Sequence, residues 1–227
     1  MSMALENLRL AVQGNLGYDS RGSDFNRWVN QGLFRIASRW DFMAMMGVQS
    51  SLSTAESTGT GLLLSTWDTN FKQLYTFTIQ SGSGYQVIEM DQKDFDYSFP
   101  YASNDSEQVP RYFIRRSSTT YDLYPVPDGE YAYTVRFSKW PTVLTADSDT
   151  QPYEAFMDQL VIASATLQAY ESFQESQDIM VWMGNFERLL REAIAQDGSM
   201  PTAVSTWGKW QSTSGLSRVP VIHGNTS

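Results

Sequence analysis

Apolar residues between Gln151 and Asp197 recur at steps of three and four, which predicts two helices. Phe156, Leu160, Ala163, Leu167 and Tyr170 share one helical face, with Met157, Val161 and Ser164 beside them. Ile179, Trp182, Met183, Phe186, Leu190 and Ile194 repeat the pattern. The polar run Gln174 to Gln177 separates them without Gly or Pro, and its shortness predicts an antiparallel hairpin. Two more helical stripes open the chain. Leu5, Leu8 and Val12 lie on one face of residues 3–13, stopped by Gly14 and Gly17. From Phe25 the residues Val29, Leu33, Ile36, Trp40 and Met43 form a longer stripe that Ser23 or Asp24 can cap, interrupted at Gly32 and ended by Gly47. None of the four can bury its stripe alone, so a four-helix bundle is expected.

Between Gly47 and Thr145 the period changes to two, with turn residues between short runs rich in Tyr, Phe, Val and Ile. Residues 74–80 and 85–91 flank Ser81-Gly82-Ser83-Gly84 as a hairpin, and residues 112–116 and 121–127 form a second pair. After Asp128-Gly129 comes the clearest strand, with Tyr131, Tyr133, Val135 and Phe137 on one face and Ala132, Thr134 and Arg136 on the other. Pro141 ends it. The acidic linker of residues 145–152 returns the chain to the helices, with Pro152 near the first helical turn.

Residues after Asp197 lose all period and are dense in Gly, Ser, Thr and Pro. Such a segment either stays disordered or, given Trp207, Trp210, Leu216, Val219, Val221 and Ile222, orders as an extended arm against another subunit or a partner. The expected class is therefore α+β: a four-helix bundle (1–46 and 150–197) with an inserted antiparallel β domain (47–149) and an extended C-terminal arm (198–227).

The chain has 227 residues and no cysteine, so it can build one moderate core and has no disulfide, thiolate metal site or cysteine nucleophile. No signal peptide or apolar membrane span is evident, and a soluble, cytoplasmic protein is expected. Sixteen cationic against 25 anionic side chains give a net charge of −9, which argues against a sequence-independent grip on nucleic acid. Aromatic residues make up 14% of the chain, suited to a core or to surface buried against neighbours.

Little points to catalysis. His223 is the only histidine and lies in the tail, with no nucleophile motif beside the serines. Glu89, Asp91, Asp94 and Asp96 form an acidic group whose spacing matches no cation loop, so a solvated turn is expected. Arg111, Arg115, Arg116 and Arg136 are expected to pair with acidic side chains or face a neighbour. The stripe of Tyr131, Tyr133 and Phe137, with Trp140 beyond, is expected to be sheet core. No catalytic, cofactor or metal residue is assigned. Glycan or peptide recognition by the β region is the alternative function.

Taken together, the short helix, the long helix carrying Trp28-x-Asn30 and Trp40, the β region with Leu123 to Asp128 and Val135 to Leu144, and the helix of Asp158 to Tyr170 resemble the head-to-tail adaptor (connector) proteins of tailed bacteriophages. The resemblance implies a structural virion protein at the head–tail junction, assembled in the host cytoplasm. It implies a homo-oligomeric ring of about twelve subunits under the portal protein. The ring would join the portal to the tail nozzle or tail tube and let DNA pass without specific binding. It also implies a portal-docking role for the arm residues Trp207, Trp210, Leu216, Val219, Val221 and Ile222.

Overall fold

A computed structural model of the chain describes residues 2–17, 22–80, 84–102 and 105–198. The helices are α1 (Leu5–Leu16), α2 (Gly22–Arg39), α3 (Gln92–Ser98), α4 (Asp158–Phe173) and α5 (Ser176–Asp197). The strands are β1 (Met46–Ser53), β2 (Leu62–Leu63), β3 (Phe71–Ile79), β4 (Tyr85–Met90), β5 (Tyr112–Arg115), β6 (Thr120–Tyr124) and β7 (Ala132–Lys139). They form one sheet in the order β1-β7-β3-β4-β5-β6-β2.

The expected four-helix bundle with an inserted antiparallel β domain is not what forms. In place of four equivalent helices, α1, α2 and α5 pack around α4, which is buried from Leu160 to Leu167 on every side. Leu160, Ala163 and Leu167 are core as expected, but Phe156 sits in the 3-10 turn before the helix and is partly exposed. A fifth helix, α3, lies within the strand region. It carries the chain from β4 to β5, which run parallel with Ile88 opposite Tyr112, so the sheet is mixed. Nor is the strand region simply inserted. Leu5 N donates to Asp149 O, Ala4 bridges Thr150, and Asn30 exchanges two hydrogen bonds with the Leu144 backbone. The segment returning to α4 is thus pinned to α1 and α2.

Local chemistry explains the helix ends. Gly17 takes a left-handed φ of 67° and closes α1, whereas Gly14 stays inside it. Helix α2 starts at Gly22, so Ser23 and Asp24 fall in its first turn, and it ends at Arg39, leaving Met43 outside and exposed. Gly32 is not an interruption but a contact: a Cβ there would lie 2.9 Å from Ala165 N on α4, and Ser164 Oγ donates to Gly32 O at 3.1 Å. Between α4 and α5, Gln174 adopts the left-handed φ of 61° that glycine usually supplies.

The sheet buries its own core. Tyr133, Val135 and Phe137 of β7 point inward, as the alternation predicts, and meet Phe77, Ile79, Val87, Phe113 and Leu123. At the centre stands Trp67, its ring against Phe71, Phe77, Phe113 and Tyr121. The opposite face of β5 and β6 is covered by α3, where Phe95 packs with Ile114 and Tyr124. Both hairpins form in the expected antiparallel sense, β3 with β4 and β5 with β6.

Candidate functional site

The acidic group that sequence alone singled out does not converge. Asp91 caps α3 by accepting from Lys93 N at 2.9 Å, and Asp96 pairs with Arg116 at 3.3 Å. The Glu89 carboxyl is pushed up by burial. No group of three or more potential metal ligands occurs among the described residues. Two of the four arginines are engaged: Arg116 Nε holds Asp122 at 2.6 Å, and Arg115 donates to the carbonyls of Ser117 and Lys72 while lying over the Phe71 ring. Arg136 projects from the exposed face of β7. His223 and the arm residues Trp207, Trp210, Leu216, Val219, Val221 and Ile222 lie outside the described residues.

The residues carrying the family resemblance hold the chain's distant parts together. Trp28 packs edge-on against Phe25 and Phe173, fixing α2 to the end of α4. Asn30 accepts from Leu144 N at 2.8 Å and donates to Leu144 O at 3.0 Å. Asp158 accepts from Met3 N and from Gln151, tying the first residues to the start of α4. Trp140 stands against Phe34 of α2, and the Lys72 ammonium lies over its ring. Such contacts are what a motif of apolar and amide residues can do, and none of them is chemistry on a substrate.

What remains available for partners is surface. On α5, Met180 and Val181 are 72% and 65% exposed, and on α1 Leu10 is also exposed. Tyr97 on α3 and Tyr101 shortly after it are 89% and 74% exposed, far more than aromatic side chains usually are. A groove of about 340 Å³ is lined by the rings of Phe99, Tyr112 and Tyr124 together with Asp105, Gln108 and Arg111. The Tyr124 hydroxyl donates to Asp105, and its pKa is pushed up to about 12, by burial first and then by that carboxylate. Sequence reading missed this groove because its walls come from the loop after α3 and from two separate strands.

Membership follows from comparison with known proteins. Comparison with curated proteins returns no match. The SU10 adaptor protein family matches residues 3–206, which takes in every helix and strand of the described residues and ends just before Trp207. The chain belongs to the SU10 adaptor protein family, a family of phage head-to-tail adaptors, and this implies a structural, non-enzymatic part at the head–tail junction of the virion, between portal and tail components.

Proposed function

We propose that copies of this chain form a ring, of about twelve subunits as the family resemblance implies, that sits beneath the portal and joins it to the tail nozzle or tail tube. The observation carrying this reading is the family match across residues 3–206, because it spans the helical layer and the sheet together and not one module. In this arrangement the exposed apolar faces of α5 and α1, at Met180, Val181 and Leu10, supply lateral contacts that a monomer leaves in water. The C-terminal arm, with Trp207, Trp210, Leu216, Val219, Val221 and Ile222, docks on the portal.

Charge gives the ring its relation to DNA. A net −9 per chain amounts to roughly one hundred negative charges in such a ring, so its channel repels the duplex and lets it slip through. Because like-charged copies repel, the free protein stays soluble and unassembled at low concentration, and the ring forms on the portal. Sedimentation of the protein with and without its portal tests this. Co-sedimentation of the full chain, lost in a chain ending at Asp197, supports the reading. Equal binding of both forms removes the arm from it, and absence of binding by either contradicts it.

A further inference from the structure

We infer that the groove beside α3 is the docking site of this chain's own C-terminal arm, and that the occupant is the Trp207-Gly208-Lys209-Trp210 segment. The groove offers what an indole needs: an aromatic lining of Phe99, Tyr112 and Tyr124, a guanidinium at Arg111 to lie over the ring, and the Asp105 carboxylate and Gln108 amide as acceptors for its N–H. Its volume of about 340 Å³ is at the small end for ligand pockets, matched to one large side chain and not to an oligosaccharide.

Charge selects the arm over other segments. The loop of residues 99–110, which lines one side of the groove, carries Asp105 and Glu107 and no cation, and Arg111 follows it. Residues 199–227 carry Lys209 and Arg218 and no Asp or Glu, the reverse of the rest of the chain. Lys209, between the two tryptophans, meets the exposed carboxylates of Asp105 and Glu107 when either indole enters the groove.

Reach permits the contact within one chain. The Asp197 carboxylate accepts from Met43 N at 3.1 Å, so the arm leaves α5 beside the start of edge strand β1. The groove lies four to five strands away, about 20–25 Å across the sheet, and is offset by several residues along the strands from Met46, so the direct span is roughly 30 Å, within the roughly 40 Å that an extended chain covers from Gly198 to Trp210. From Gly198 to Trp207 the extended chain spans about 30 Å. Tethering gives the arm an effective concentration in the millimolar range, so its own groove is filled ahead of a neighbour's. Arm docking does not depend on the proposed portal contact; only its release does, since the portal competes for the same tryptophans.

Zero-length carboxylate-to-amine cross-linking of the full chain, in a dilute mixture of isotopically labelled and unlabelled protein, tests the inference by mass spectrometry. Lys209 is expected to join Asp105 or Glu107 within one isotopic species. Replacing both Trp207 and Trp210 by Ser is expected to lower the yield about tenfold, as loss of an interface Trp does, with the circular dichroism unchanged. Lys209 joined instead to carboxylates of the helices, a predominance of mixed-isotope pairs, or no Lys209 cross-link each overturns it. Portal binding is measured separately, so a loss of one result leaves the other readable.

Discussion

Lys72 Nζ lies 2.5 Å from the Asp41 carboxylate, and this pair joins the helical layer to the sheet. Asp41 is buried at the end of α2, and the same ammonium donates to Ala37 O at 2.5 Å while Tyr75 Oη donates to the other Asp41 oxygen at 2.6 Å. Lys72 and Tyr75 are also the two residues of β3 left over where its register with β7 shifts, between Phe71 and Gln73 and between Leu74 and Thr76. A bulge re-aims a side chain. Here two bulges turn two polar side chains towards one carboxylate, and the second lets Leu74 share a core with Phe77 and Ile79.

Removing one partner strands the other charge. Lys72→Met is expected to lower unfolding stability by about 3 kcal/mol in a denaturant titration, and Asp41→Leu with Lys72→Met by clearly less than the two single changes together. Additive losses would show that the pair is not the coupling element.

Alkaline pH should unfold the protein through its tyrosines. Tyr75 has its ionisation pushed up, by burial first and then by its hydrogen bond to Asp41. Burial does the same to Tyr121 and Tyr153. An unfolded chain releases tyrosine protons from about pH 10 while the folded chain keeps these, so stability is full below that pH and falls above it. Thermal scans from pH 8 to 11 check the fall, and Tyr75→Phe is expected to make it shallower.

Close approach of α2 to α4 depends on Gly32. With a Cβ only 2.9 Å from Ala165 N, the obstacle is backbone and cannot swing aside. Gly32→Val is expected to destabilise by about 2–3 kcal/mol, read as a lower denaturant midpoint. Gly14, whose Cβ would meet nothing within 4 Å, is the control, and Gly14→Ala is expected to be neutral or slightly stabilising.

Gln174 holds a left-handed conformation that costs a side chain more than it costs glycine. Gln174→Gly is therefore expected to raise stability by about 0.5–1 kcal/mol, measured as a higher melting temperature with unchanged ring formation.

The helices and hairpins were legible because their signals are local. Leu5, Leu8 and Val12 repeat within one helix, and Tyr133, Val135 and Phe137 alternate within one strand. Helix α3 escaped because it is seven residues long with only Phe95 buried, so its acidic surface reads as a turn. The parallel pairing of β4 with β5 depends on that helix and was missed with it. Gly32 read as a break because α4, its contact, lies more than one hundred residues away in sequence. Trp67 and the Asp41–Lys72–Tyr75 cluster likewise owe their roles to register and tertiary contact, which no window of sequence contains. Family character was legible for a different reason: Trp28, Asn30, Trp140 and Asp158 are each fixed by a contact between distant segments.

The most direct test of the adaptor account is an image of the portal, taken down its axis, after incubation with the full chain. A closed ring of density beneath the portal, absent when the chain is omitted, is the expected result. A portal left bare at saturating protein, or decorated at scattered sites with no closed ring, would contradict the account.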